Sequence, residues 1–166
     1  MHGWAQEATV GGRTVTLREV GPAHTRGDQL VTVDGAGVVF TGDLVEERCF
    51  PIFPYFPSED ADLDGNAWIR VLAELEAQAP PVVVPGHGSP GGIGIVATQR
   101  QFMEELRDAA RDAADEGRSA DEAVADLEPR FHAQHPDWMQ PEWVAFAVRY
   151  FHDQRRAGSD GSPKAA

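Results

Sequence analysis

The chain is 166 residues long and 42% of its residues are hydrophobic, which is enough for one domain with a buried core. Its formal net charge of −13 would repel phosphate backbones and anionic headgroups, so neither nucleic acid nor a membrane surface is an expected partner. The N-terminal residues lack a basic segment followed by an apolar run, and no window reaches the roughly 20 apolar residues of a bilayer span, so we expect a cytoplasmic protein.

The first elements that the sequence predicts are three short strands joined by turns. Each strand is rich in β-branched residues and is flanked by glycine or aspartate, which is typical of consecutive strands. The sequence DGAG between the second strand and the third indicates a hairpin turn. The three strands are predicted at residues 14–20, 29–33 and 37–41.

A loop rich in proline and aromatic residues follows at 49–65. One interpretation is that its aromatic side chains line a substrate pocket or contact a partner chain. The alternative is that the loop simply covers the hydrophobic core. Prolines lower the entropic cost of ordering such a loop on binding. The side chains concerned are Phe50, Phe53, Tyr55 and Phe56. The loop also contains Cys49, the only cysteine, which excludes an internal disulfide and is assigned no role.

After this loop the sequence predicts one helix, then one strand, and from there on only helices. An amphipathic helix is predicted from about Asn66 to Ala77, and a buried strand that ends at Pro85 comes next. Residues 95–113 again repeat apolar side chains at helical spacing, and this apolar face also includes Gln99. The sheet and its helices therefore share one α/β domain.

Two further helices and a tail complete the prediction. Ser119 and Glu122 form a capping box that begins one helix, and another helix begins near Pro141. Residues 157–166 are small and polar, so a disordered C-terminal tail is predicted there. Residues 1–156 then form a single domain.

Three polar side chains, His24, Asp43 and His87, follow predicted strands and have glycine beside them or nearby. Loops after the strands of an α/β layer are where such folds collect ligands. Two imidazoles and one carboxylate are a sufficient donor set for zinc or ferrous iron, with positions left open for water. Residue type alone also allows an interpretation without a metal, in which the two histidines are ordinary surface residues and the aspartate caps a turn.

The ordered sequences AHTRGD, FTGDLV and VVPGHG, which contain these three residues, resemble the metallo-beta-lactamase superfamily. Members of that family are mostly metal-dependent hydrolases. The resemblance implies that His24 completes a first metal site, that Asp43 bridges two metals and is the catalytic residue, and that His87 belongs to the second site. It also suggests that Thr25 and Asp28 orient a ligand, with capping of their own loop as the alternative.

The resemblance extends from about Gly12 to Arg155 but lacks one feature of the family. Its His-x-His-x-Asp-His motif does not occur in this sequence, where His2 is the only histidine before Gly21. The chain therefore resembles the C-terminal half of the family's αββα sandwich. This half-fold is of the α/β (α+β) class, a mixed sheet with helices on one face. The other face of the sheet is apolar and would be exposed to water in a single chain. We therefore expect a second chain to pack on it, either another copy in a homodimer or a complementary chain.

The function that the resemblance implies is hydrolysis of a small-molecule substrate by metal-activated water. The protein would be a truncated hydrolase of this family, completed by dimerisation or by a partner chain. Its cofactor would be a divalent metal, zinc before iron or manganese, with partial or absent occupancy also open. The missing motif leaves a second interpretation, a catalytically degenerate member that binds a metal or a partner.

Overall fold

The computed structural model describes residues 4–55 and 62–160, and within them the chain forms one five-stranded sheet and four helices. The sheet order is β1-β2-β3-β4-β5, and its pairings are antiparallel except for the parallel pair β4 and β5. This mixed sheet with helices confirms the predicted fold class. In chain order the elements are β1 (Ala5–Val10), β2 (Arg13–Glu19), β3 (Gln29–Val33), β4 (Val38–Glu46), α1 (Gly65–Gln78), β5 (Val82–His87), α2 (Gly94–Asp115), α3 (Ala120–Gln134) and α4 (Trp143–Asp160).

The edge strand β1 is an element that sequence reasoning missed. It pairs with β2 through a two-residue turn in which Gly11 and Gly12 both have positive φ, 58° and 78°. That conformation belongs to the tight hairpin turns whose twist matches paired strands, and glycine adopts it without steric cost. All six residues of β1 are exposed, so the strand has no alternation of apolar and polar residues to reveal it.

Strands β4 and β5 both extend beyond their predicted ends. β4 continues to Glu46, so Asp43 lies within this strand and not in a loop after it, which corrects its predicted position. β5 ends at His87, two residues beyond the predicted end at Pro85. The β4–β5 ladder becomes irregular from Phe40 onward, with register shifts on both sides of Gly42. Gly42 has a φ of 52°, and this left-handed residue turns β4 enough to change the direction of the side chains that follow.

Helices α1 and α3 each begin directly after a residue whose side chain caps the first turn. Asp64 accepts a hydrogen bond of 2.8 Å from the Ala67 N–H at the start of α1, and Ser119 and Glu122 form the expected capping box of α3. α4 continues to Asp160, four residues into the predicted tail, because helix extension adds one hydrogen bond per residue. Residues 161–166 of that tail lie outside the described residues. None of the described helices combines the length and hydropathy that a bilayer span requires.

Helices pack against one face of the sheet and leave the other face partly exposed. α1 and α2 pack against β4, and Leu30, Val39 and Val83 are buried on that side. Side chains alternate between the faces of a strand, so the register assigns the neighbours of these residues to the opposite face. That opposite face, here called the open face, is apolar and only half-buried, and Phe40 at its centre is 44% exposed. The open face consists of Val15, Leu17, Val31, Val33, Val38, Phe40, Val82 and Val84.

Cys49 is buried near the start of the loop that follows β4. Burial raises the pKa of its thiol to about 12, and the charges of Glu46 and Glu142 act in the same direction. Thiolate is the reactive form, so we expect Cys49 to resist a thiol-labelling reagent at pH 8 and to react fully in guanidinium chloride. A time course of labelling measures this difference. Complete labelling of the native protein within minutes would contradict the burial of Cys49.

Candidate metal centre

The ends of β4 and β5 bring Asp43 and His87 together. Oδ1 of Asp43 lies 3.5 Å from Nε2 of His87. The approach depends on Gly86, since a Cβ at this position would overlap the Asp43 carboxylate and would come within 2.7 Å of the Gly42 carbonyl carbon. Glycine at 86 is therefore required for the two strands to hold this aspartate and this histidine side by side.

Glu46 is the third member of this cluster. Asp43, Glu46 and His87 each offer one donor atom such that the three atoms lie within 4.8 Å of one another. Glu46 is only 2% exposed, and its Oε2 accepts a hydrogen bond of 2.9 Å from the Ile52 N–H. Its Oε1 is buried without a hydrogen-bond partner among the described residues. Burial raises the pKa of Glu46 to about 8, the Asp43 charge raises it further, and the Ile52 N–H opposes the shift.

His24 lies in the loop between β2 and β3 and is buried beside the cluster, with 8% of its surface exposed. Its ring meets the Trp68 ring edge to face at a centroid distance of 5.1 Å. Burial lowers the pKa of His24, while the charges of Asp28 and Asp43 oppose the shift. Nε2 has no hydrogen-bond partner in the described part of the chain. A neutral imidazole with one free nitrogen is the form that binds a metal.

These residues fit a divalent cation. Ligand bonds of about 2.1 Å in tetrahedral geometry place neighbouring donors about 3.4 Å apart, and Asp43 and His87 are separated by 3.5 Å. Two buried atoms, Nε2 of His24 and Oε1 of Glu46, lack hydrogen bonds within the described residues, although buried polar atoms normally have partners. Nitrogen and carboxylate oxygen are also the donor types that zinc, iron and manganese accept.

The structure brings together part of the predicted ligand set. Asp43 and His87 meet as the sequence predicts, but the donor that completes the mutually close set is Glu46. His24 lies close enough for its pKa to be affected by Asp43 and His87, but it is not a member of that close set. Its role as a ligand stays a prediction.

Thr25 and Asp28, predicted to support a ligand, bond to each other. The Thr25 N–H donates to Oδ2 of Asp28 at 2.9 Å, and the Thr25 hydroxyl donates to Oδ1 at 2.8 Å. This is the closed turn of the alternative interpretation, in which the aspartate caps its own loop. The Asp28 carboxylate also acts on the His24 ring by favouring its charged form, so the turn adds negative charge beside the candidate metal centre.

The aromatic loop is mostly part of the core. Phe50 and Phe53 are each 1% exposed, which corrects the prediction that they contact a substrate or a partner. Phe50 packs against Phe102 and Trp138, and Phe53 packs against Trp68 and Phe151. Apolar aromatic surface gains more from burial in the core than from exposure on a loop.

Tyr55 is the half-buried member of the aromatic set, and its hydroxyl donates to the Asp153 carboxylate at 3.0 Å. Burial raises the pKa of Tyr55 to about 12, and the bond to Asp153 adds to the shift. The tyrosine therefore remains a neutral donor over the physiological pH range. Phe56 lies outside the described residues. A substrate or interface role for Tyr55 stays a prediction.

Sequence reasoning missed both Glu46 and Gln99 as parts of the site. Gln99 on α2 is buried, and its Nε2 donates to the Leu44 carbonyl at 3.1 Å while its Oε1 accepts from the Glu46 N–H at 2.7 Å. One amide side chain thus fixes the end of β4 from the helical layer. The signal for Gln99 was its place on the apolar face of the predicted helix. The signal for Glu46 was an acidic residue directly after the apolar pair Leu44 and Val45.

Comparisons with known proteins agree with the fold. The model of the metallo-beta-lactamase superfamily matches residues 3–87 of this chain. A search of curated proteins gives no match.

Solved structures give a similar result. A metallo-beta-lactamase family protein from Thermus thermophilus is 18% identical, with a TM-score of 0.67 over 97% of this chain and 50% of its own. A stereoselective inverting sec-alkylsulfatase from Pseudomonas sp. is 15% identical, with a TM-score of 0.68 over 97% of this chain and 28% of its own. A metallo-beta-lactamase from Pontibacter korlensis is 22% identical over 59% of this chain and 46% of its own, with a TM-score of 0.49. The chain thus spans half or less of the length of these structures.

Proposed function

The chain belongs to the metallo-beta-lactamase superfamily, and on this premise we propose that it binds a divalent metal ion at the ends of β4 and β5 as part of a metal-dependent hydrolase. The observation that carries the proposal is the 3.5 Å approach of Asp43 to His87 beside the unpartnered Nε2 of His24. We propose zinc as the metal because nitrogen and oxygen donors suit it, and iron and manganese accept the same donors.

A divalent metal at this centre would supply Lewis-acid polarisation of a carbonyl or phosphoryl oxygen and activation of water. Asp43 and His87 would hold it, and their partly exposed side chains leave the centre open to a small-molecule substrate. The buried His24 ring and the Trp68 ring beside it limit the access of water from the interior side. The role that we assign to these residues is to position the metal and to shape its surroundings.

We further propose that a second copy of the chain covers the open face. Eight contiguous apolar side chains there are half-buried or exposed in the single chain, and a contiguous apolar patch on a protein surface often marks an interaction site. A two-fold symmetric dimer places one copy of the face on the other, so both are covered by a single interface. A separately encoded complementary chain is the other candidate for this position. Neither copy need supply ligands to the metal of its partner.

A catalytically degenerate metal-binding protein is the second candidate function. It is favoured by the absence of a His-x-His-x-Asp-His motif from this sequence. Steady-state assays of the metal-loaded chain with β-lactam and phosphodiester substrates discriminate the two. Turnover at about 1 to 1,000 per second, which is ordinary for enzymes, would favour the complete hydrolase. Undetectable turnover with stoichiometric metal would favour the degenerate member.

Metal content tests the central proposal. We expect the purified protein to retain a divalent transition metal at or below one ion per chain, and the double substitution Asp43→Ala/His87→Ala to abolish this retention. Inductively coupled plasma mass spectrometry after gel filtration measures both. The control Asp121→Ala/His132→Ala removes the same residue types from α3 and should keep the metal. Equal metal in the parent and in the Asp43 and His87 double variant would show that the site is wrong.

A further inference from the structure

We infer that the Glu46 carboxylate is a third protein ligand of the metal and forms with Asp43 and His87 a three-ligand site that lies wholly within this chain. The inference rests on the proposed metal binding. It identifies a donor that the sequence motifs do not mark, and it leaves His24 beside the site. A three-ligand site with an open position is also a form that catalytic metals commonly take.

The backbone of β4 explains how Glu46 reaches the cluster. Residues three apart in a regular strand point to opposite faces, so Asp43 and Glu46 would normally diverge. Here the ladder shifts register between Phe40 and Gly42 and again between Gly42 and Glu46. These irregularities bring the two carboxylates to the same point, where both lie within 4.8 Å of the His87 donor atom. A bulge that redirects a side chain next to a functional site is a recurrent device of β-sheets.

The two carboxylate oxygens of Glu46 are in different situations. Oε2 accepts the Ile52 N–H at 2.9 Å, which orients the carboxylate, whereas Oε1 has no partner among the described residues. Because Glu46 is almost fully buried, the missing partner is not bulk water at the surface. Carboxylates that bind a metal through one oxygen are normally oriented by a hydrogen bond to the other. Glu46 has this arrangement, with Oε2 bonded to the backbone and Oε1 available.

The position of Glu46 is itself fixed by Gln99. The Gln99 amide oxygen accepts the Glu46 N–H at 2.7 Å, and its amide nitrogen donates to the Leu44 carbonyl at 3.1 Å. Both bonds are buried. The carboxylate is therefore attached to a backbone that α2 holds in place, and little conformational entropy remains to be lost when a cation binds.

A plain structural role for Glu46 is the competing explanation, because its bond to Ile52 also ties the loop after β4 to the strand. The substitution Glu46→Gln separates the two explanations. Glutamine keeps the shape and retains an amide oxygen that can accept the Ile52 N–H, but it removes the anionic oxygen. A structural role predicts unchanged metal affinity for this variant, whereas a ligand role predicts a weaker site.

The experiment is isothermal titration of the metal-free full chain with Zn²⁺. We expect Glu46→Gln to weaken Zn²⁺ binding at least tenfold and to reduce the rise in melting temperature that Zn²⁺ causes. The matched control Glu47→Gln removes the same charge one residue away, where the carboxylate accepts the Ser89 N–H instead. Its affinity should stay within threefold of the parent.

Three outcomes decide the matter. If Glu46→Gln binds Zn²⁺ within threefold of the parent while Asp43→Ala/His87→Ala does not bind, the proposed function stands and the role of Glu46 is refuted. If the parent chain itself takes up no Zn²⁺, the proposed function fails and the inference fails with it. If Glu46→Gln does not fold, Glu46→Asp keeps the charge but withdraws it by one methylene, and unchanged affinity in that variant would equally overturn the ligand role.

Discussion

Substitution of Phe40 by aspartate is expected to convert the proposed dimer into a monomer. Phe40 lies at the centre of the open face and is 44% exposed in the single chain. A two-fold interface would contain the new carboxylate twice, and burying an unpaired charge costs several kcal/mol. Because each 1.4 kcal/mol is a factor of ten, dimer affinity should fall by about 100-fold or more. Light scattering coupled to size exclusion measures the change in mass.

The control for this experiment is Met139→Asp. Met139 is also an exposed apolar residue, but it lies between α3 and α4 and outside the open face. Its substitution should leave the mass of the assembly unchanged. A parent chain that is monomeric at all concentrations and does not bind a hydrophobic dye would refute the argument from the open face. A monomer that binds such a dye in a Phe40-dependent way would refute the dimer and leave a separate complementary chain as the candidate partner for this face.

Trp68→Ala is expected to produce the largest loss of folding stability. Trp68 is fully buried on α1, its Nε1 donates to the Leu44 carbonyl at 2.8 Å, and its ring packs against His24 and Phe53. Removing this side chain leaves a cavity in the core, and the Leu44 carbonyl loses the hydrogen bond from the indole N–H. Large-to-small changes of this kind lower the free energy of unfolding by about 3–5 kcal/mol. Urea unfolding followed by circular dichroism gives this value.

Trp4→Ala provides the matched comparison for Trp68→Ala. Trp4 is 47% exposed, and surface substitutions usually change stability by about 0.5 kcal/mol or less. A second variant, Trp68→Phe, keeps an aromatic ring against His24 but has no indole N–H, so its stability measures the contribution of the hydrogen bond to the Leu44 carbonyl. A Trp68→Ala variant that unfolds at the same urea concentration as the parent would contradict the central place of this residue in the core.

Sequence reasoning succeeded where side-chain periodicity and capping decide the structure. The amphipathic pattern from about Asn66 to Ala77 predicted α1 to within one residue at each end, and the pair Ser119 and Glu122 predicted the start of α3. These signals are local, and the residues that produce them lie within one or two turns of one another. The strand β1 was missed for the converse reason, since its six exposed residues owe their conformation to pairing with β2.

The candidate site was predictable only in part. His24, Asp43 and His87 stood out because three ordered motifs contain them, and the structure does bring Asp43 and His87 into contact. Glu46 could not be predicted from strand alternation, because regular alternation would direct it away from Asp43. Its position depends on the left-handed Gly42 and on the hydrogen bond that its N–H donates to Gln99, 53 residues later on a helix. Non-local contacts of this kind leave little trace in the sequence around the residue.

The bond between Gln99 and β4 has a mechanical consequence. The regular β4–β5 ladder ends near Gly42, and beyond it Gln99 of α2 bonds the Leu44 carbonyl and the Glu46 N–H, so the helical layer as well as β5 holds the stretch from Asp43 to Glu46. The open face belongs to the regular part of the sheet and points away from those helices. The Gln99 bonds that hold this end of β4 therefore come from the side of the sheet opposite the open face. A partner chain on the open face, if one binds, would thus have no direct contact with the side chain that fixes the Glu46 backbone.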